Sequence, residues 1–160
     1  MSKEIERKFL IALPDVQTLL AQPGCTVSAI VQTYLLAPEG DELRVRKRTQ
    51  NGQTAYVKTV KRSLCGFTRE EIEETITPAQ YSALLAQADP ARRPIEKTRY
   101  ELPYEGHVIE VDVYPFFADC AIAEVELCSQ EEAFSLPACL RVIREVTDDP
   151  AYKNAALAMR

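Results

Sequence analysis

Polar and apolar residues alternate with a period of two through most of this chain, the signature of strands with one covered and one uncovered face. Residues 3–12 set Glu4, Glu6 and Lys8 on one side against Ile5, Arg7, Phe9 and Ile11 on the other. Residues 26–36 form an apolar, β-branched run whose even face holds Ser28, Ile30, Gln32 and Tyr34. After a turn at Pro38-Glu39-Gly40-Asp41, the stretch ELRVRKRT puts Arg44, Arg46 and Arg48 on one face and Leu43, Val45 and Lys47 on the other. Asn51-Gly52 predicts a tight hairpin, and residues 54–62 return with Tyr56 and Lys58 sharing a face. Beyond a loop at 63–66, residues 67–76 present Arg69, Glu71 and Glu73, and residues 94–103 present Lys97, Arg99 and Glu101. A turn at Glu105-Gly106 leads to VIEVDVY, with Glu110 and Asp112 on one face, and residues 121–128 repeat the pattern with Glu124 and Glu126.

Helix signals are fewer. Pro14 to Gln22 predicts a short helix, ended by Pro23-Gly24. Thr77-Pro78-Ala79-Gln80 matches a capping box with proline at the first helical position, opening a helix with Tyr81, Leu84, Leu85 and Ala88 as its apolar stripe. Ser129 to Glu132 forms a second capping box, and a helix is expected around 137–144. Asp149-Pro150 opens a last amphipathic helix that is expected to run to the C-terminus.

The uncovered strand faces are unusual. A solvated face mixes Thr, Ser, Gln and Lys, whereas these are nearly pure charge. Four carboxylate-x-carboxylate pairs and two cation-x-cation pairs recur among them. Charge within and helices without describe an α+β fold: a closed eight-stranded antiparallel β-barrel with a charged lumen wide enough for one small ligand. The cations of such a lumen want a polyanion, and the carboxylates want a metal that the polyanion also ligates.

Composition narrows the chemistry further. The 160 residues predict one domain, 1–160, and 46% hydrophobic content supplies a core for it. The opening MSKEIERKFL has no apolar run and no stretch suits a membrane helix, so no membrane partner and a cytoplasmic location are expected. The five cysteines form no CxxC pair, and the single histidine, His107, is expected to be a solvated turn residue. A bound metal must then be held by carboxylates, which favours Mg²⁺ or Mn²⁺. The net charge of −5 argues against a nucleic-acid partner. No Walker loop or GxGxxG occurs, so phosphates would be gripped by side chains.

At this point the residues resemble a known family. Glu4-Ile5-Glu6-Arg7-Lys8 is similar to the ExExK signature of the CYTH superfamily, the triphosphate tunnel metalloenzymes. The ordered set extends the resemblance over the whole chain: Gln32-x-Tyr34, Arg44-x-Arg46, Lys58, Arg69-x-Glu71-x-Glu73, Lys97-x-Arg99, Glu110-x-Asp112, Glu124-x-Glu126, and Tyr152-Lys153-Asn154. The resemblance implies an eight-stranded tunnel that holds a triphosphate with divalent ions. It implies Glu4, Glu6, Glu73, Asp112, Glu124 and Glu126 as metal ligands, with orientation of the metal shell or of the cations as the alternative for Asp112 and as the role of Glu110. Lys8, Arg44, Arg46, Lys58, Arg69, Lys97, Arg99 and Lys153 would grip phosphates, with Lys153 closing the tunnel. Lys8 is the expected general base, with Tyr34 as its hydrogen-bonding partner, and carboxylate activation of water is the alternative. Lys61, Arg62, Arg92 and Arg93 read as loop and surface charge. The opening EIERKFL resembles small bacterial members that hydrolyse inorganic tripolyphosphate to diphosphate and phosphate. Nucleoside or thiamine triphosphatase, adenylate cyclase and a non-catalytic polyphosphate- or nucleotide-binding module stand as alternatives, and a homodimer is left open.

Overall fold

The structure is a computed structural model that describes residues 5–63 and 69–159, with only the backbone of Ser63 and Arg69. Glu4, expected as a metal ligand, lies outside the described residues, and so does the side chain of Arg69. The described residues form nine strands and three short helices, divided into two compact units.

The first unit comprises Met1–Ser28 and Lys97–Pro150. It contains β1 (Ile5–Ala12), α1 (Val16–Leu20), most of β6 (Ile95–Tyr104), β7 (His107–Val113), β8 (Cys120–Leu127) and β9 (Val142–Glu145). These strands follow the order β6-β7-β8-β1-β9, and every pairing is antiparallel. The apolar half of the alternation packs into one core, built on Phe9 and Ile11 of β1, Tyr100 and Leu102 of β6, Ile109 and Val111 of β7, and Ala121 to Leu127 of β8. Leu19 of α1 and Leu140 close over it. Asp15 caps α1 by accepting a hydrogen bond from the Thr18 amide, which satisfies one of the donors that a helix start leaves open.

The second unit comprises Ala29–Glu96 and Ala151–Arg160. Most of β2 (Thr26–Leu35), then β3 (Glu42–Gln50), β4 (Gln53–Ser63) and β5 (Arg69–Ile76), pair in sequence as antiparallel neighbours. Asn51 and Gly52 take φ of 52° and 75°, the left-handed pair that a two-residue hairpin matched to strand twist requires. Leu35, Val45, Ile76 and Tyr81 form this unit's core. Tyr81 belongs to α2 (Pro78–Leu84), which opens on the expected capping box: the Thr77 hydroxyl accepts from the Gln80 amide, and the Gln80 side chain accepts from the Thr77 amide. The helix tightens to a 3₁₀ turn at Leu85–Gln87, so of the expected stripe Tyr81 is buried and Leu85 is exposed.

Five sequence expectations are corrected. Residues 137–144 are not a helix. Val142 and Ile143 are β-branched and start β9, which pairs with β1 through Phe9↔Glu145 and Leu10↔Arg144 and gives that strand's backbone a partner. The second capping box opens no helix, because Glu132 is engaged elsewhere: one oxygen accepts from the Cys128 amide and the other pairs with His107 at 2.7 Å. His107 is therefore a half-buried strand residue with a carboxylate partner, not a solvated turn residue. The C-terminal helix is interrupted at Lys153, leaving a 3₁₀ turn at Pro150–Tyr152 and the four-residue α3 (Asn154–Leu157). The described ladders establish an antiparallel sheet fold with few helices, and they number nine strands where eight were expected. No helix among the described residues is long and apolar enough to cross a membrane.

Candidate active site

Directly opposed residues of antiparallel neighbours share a face, so the register of the first unit fixes which charges meet. Glu6 stands opposite Glu126, and Lys8 opposite Glu124. Glu110 also stands opposite Glu124, Glu101 opposite Glu110, and Arg99 opposite Asp112. Four adjacent strands thus bring Glu6, Lys8, Lys97, Arg99, Glu101, Glu110, Asp112, Glu124 and Glu126 to one face, while the odd residues of β1 and β7 build the core behind it. Glu6/Glu126, Glu110/Glu124 and Glu101/Glu110 are like charges directly opposed, an arrangement that costs stability in a sheet. Lys8 beside Glu124 and Arg99 beside Glu110 offset part of that cost.

The face is paired internally. Lys8 Nζ lies 3.3 Å from Glu124. Lys97 donates to Asp112 at 2.8 Å, and Arg99 donates to both Asp112 oxygens at 2.8 and 3.0 Å and also pairs with Glu110. Lys97, Arg99, Asp112 and Glu124 are all buried. Burial pulls Lys97 below the usual lysine range, against the attraction of Asp112. Burial also works against the charged forms of Asp112 and Arg99, but their mutual pairing, with Lys97 on Asp112, outweighs it and leaves Asp112 low and Arg99 high. Glu110 is raised, chiefly by burial. Glu6 is the most informative group: burial, then the nearby Glu124 carboxylate, push it up to about 7, while Lys8 pulls the other way.

The second unit presents its own polar face. Tyr34 stands opposite Arg44 and Gln32 opposite Arg46. Gln32 donates to the Tyr34 hydroxyl at 3.2 Å and accepts from Arg46 at 3.5 Å. Arg44 pairs with Glu42 at 3.7 Å, and Lys61 reaches the same carboxylate at 3.8 Å. Arg92 lies over the Tyr34 ring, 4.9 Å from its centroid, and the amide of Asp89 donates to the Tyr34 carbonyl. Burial, with Glu42 nearby, raises the Tyr34 hydroxyl above the usual phenol range.

Not every expected residue joins these faces. Lys58 stands opposite Val45, on the side of the apolar core, and pairs at 3.9 Å with Glu74; Arg44 and Arg46 project from the other side. Glu73 shares the Arg44 side through Thr59 but is exposed. Lys153 is exposed at the start of α3 with no capping bond. Conversely, Lys61 and Arg92, read from the sequence as surface charge, are drawn in: Lys61 beside Glu42, Arg92 onto Tyr34. Among the described residues no three acidic, cysteine or histidine side chains converge into a ready ion cage. The donor chemistry nonetheless fits a hard divalent cation: Glu6, Glu124 and Glu126 supply carboxylate oxygens from two paired strands, with Glu6 directly opposite Glu126.

Residues 2–143 match the CYTH domain. The chain is 40% identical over 162 residues to an inorganic triphosphatase of Nitrosomonas europaea, covering 98% of this chain and 97% of that one. The crystal structure of the inorganic triphosphatase NE1496 superposes with a TM-score of 0.66 at 34% identity, covering 100% of this chain and 97% of the other. The PH1819 protein of Pyrococcus horikoshii OT3 shares the fold at 20% identity, with a TM-score of 0.56 and 81% of each chain covered.

Proposed function

The chain belongs to the CYTH domain family, and from that premise we propose that it is a triphosphatase that hydrolyses inorganic tripolyphosphate to diphosphate and phosphate with Mg²⁺ or Mn²⁺. The observation that carries the reading is the first unit's charged face, where buried cations and opposed carboxylates lie side by side on four strands. The 40% identity to an inorganic triphosphatase over nearly the whole chain selects the substrate. The closed tunnel expected from the sequence is part of this proposal.

Glu6, Glu124 and Glu126 would hold the cation, which when bound supplies charge neutralisation at phosphate oxygens. The chain's own groups do the rest. Arg44 and Arg46 bind phosphate oxygens, which a guanidinium can meet with two parallel hydrogen bonds. Arg99 and Lys97 offer fixed positive charge to the oxygens on which charge builds as the terminal phosphoryl group leaves. Lys8 is assigned to take a proton from the attacking water, and Glu124, 3.3 Å away, orients it. Tyr34 is the second catalytic candidate, held by Gln32 and covered by Arg92.

A phosphate-release assay over tripolyphosphate, ATP, thiamine triphosphate and diphosphate, each with and without Mg²⁺, tests the proposal. Tripolyphosphate is expected to turn over fastest and only with metal. Preference for ATP with cyclic AMP as product would establish the cyclase instead, and turnover of none would establish a binding module.

The face assignment makes its own prediction. Arg44→Ala is expected to weaken tripolyphosphate binding about tenfold or more, the worth of a charge-assisted hydrogen-bond pair. Lys58→Ala, changing a residue on the other side of β4, is expected to leave it within about twofold. Calorimetric titration with tripolyphosphate reads both; equal losses would put Lys58 back among the phosphate ligands.

A further inference from the structure

Asp112 has no exposed surface, and both of its oxygens are already occupied by cations. Oδ1 accepts from Arg99 Nε. Oδ2 accepts from Lys97 Nζ and from a terminal guanidinium nitrogen of Arg99. A carboxylate offers about four lone-pair sites, and three of these are taken by charged donors. A divalent ion brought to the remaining site would face an ammonium and a guanidinium, both of which repel it. Glu6 and Glu126 differ in kind: they stand directly opposed on β1 and β8, carboxylate against carboxylate, and a cation would relieve them.

The cations that Asp112 joins are themselves held on other sides. Arg99 also pairs with Glu110, so its described bonds use three of five N–H groups and fix the plane of the guanidinium. The Lys97 ammonium lies 5.7 Å from the centre of the Tyr114 ring, itself a buried side chain. Two positive groups two residues apart on one strand face would push each other away. A single carboxylate placed between them offsets that repulsion where water is excluded.

We propose that Asp112 is a positioning residue that sets Lys97 and Arg99 as a fixed cationic pair for phosphate oxygens, and that it does not ligate the divalent cation. The inference rests on the triphosphatase reading, and of the roles that the resemblance left open for Asp112 it excludes metal ligation. Asp112→Asn keeps the shape but withdraws the charge and turns an N–H toward a cation.

Two calorimetric titrations test it, one with tripolyphosphate and one with Mn²⁺ alone. Asp112→Asn is expected to weaken tripolyphosphate binding about tenfold or more and to leave Mn²⁺ binding within about twofold of the parent. In steady state the KM for tripolyphosphate should rise while the Mg²⁺ concentration giving half-maximal rate stays put. A loss confined to folding would lower the fraction of active protein and move neither constant. Loss of Mn²⁺ affinity overturns the inference, and so does unchanged tripolyphosphate binding. Because Asp112→Asn strands two buried cations, the double variant Lys97→Met, Asp112→Asn provides a less strained background, in which Mn²⁺ binding is again expected at the parental value. A parent chain that neither binds nor hydrolyses tripolyphosphate overturns the triphosphatase reading itself. A parent that does both, with Mn²⁺ affinity lost in Asp112→Asn, overturns the inference alone.

Discussion

Lys8→Arg is expected to bind tripolyphosphate almost as the parent does and to hydrolyse it at least about a hundredfold more slowly, the usual contribution of a general base. The two side chains carry the same charge and can make the same pair with Glu124, which Lys8 reaches at 3.3 Å. The attraction of this strand face for a polyanion is therefore kept. What changes is proton affinity: a guanidinium does not give up its proton in a protein, whereas an ammonium can. A residue that must accept a proton from water fails in the arginine variant, and a residue that only grips phosphate does not. The measurement is kcat beside the dissociation constant from calorimetry. Near-parental kcat would make Lys8 one more phosphate clamp and move the search for the base to the carboxylates, among them Glu124 at 3.3 Å.

How far the sequence could be read depended on which physical signal each segment carried. Strand faces were legible because alternation has a period of two and every charged pair repeats it. Glu6 with Lys8, Glu110 with Asp112, and Glu124 with Glu126 all fall on the face that the pattern assigned to them. The Thr77 capping box and the Asn51-Gly52 hairpin are local chemistry and appear as expected. The segment 137–144 failed because a helix-like pattern competed with β-branched residues and an available neighbour, and only the paired strand β1 decides that contest. Lys58 is a different case, because the resemblance and the strand register point to different faces for it. A two-residue turn at Asn51-Gly52 sets Gln50 opposite Gln53, and counting outward places Arg44 opposite Thr59 and Lys61 opposite Glu42. That count puts Lys61 on the Arg44 side and Lys58 on the Val45 side. Arg92 offered no such signal: its place on Tyr34 depends on a loop that returns to the end of β2, and nothing in a run of surface-like charge announces it.

Glu6 should make metal affinity depend steeply on pH. Its carboxyl is held up to about 7 by burial and by Glu124, with Glu126 adding to the crowding. Below that pH Glu6 carries a proton, and a divalent cation must displace it to gain the ligand. Apparent Mn²⁺ affinity should therefore climb about tenfold per pH unit between roughly pH 5 and 7 and level off above, where the carboxylate is already free. The sign is opposite to that of an ordinary salt-bridged acid, whose lowered pKa leaves it ionised through this range. Folding without metal runs the other way. A group whose folded pKa exceeds its unfolded one binds more protons when folded, so this contribution to stability is present below about pH 4.5 and is lost as pH rises toward 7. Added Mn²⁺ should then raise the melting temperature more at pH 8 than at pH 6, because it replaces the missing proton between the carboxylates. Glu6→Gln keeps the size of the side chain and removes its charge. It is expected to cut Mn²⁺ affinity about a hundredfold at pH 8, to restore turnover partly at high Mg²⁺, and to flatten the pH dependence. Titrations of both proteins with Mn²⁺ across this pH range decide the matter. Parallel, equally steep curves for parent and Glu6→Gln would show that the proton displaced on metal binding comes from another carboxylate.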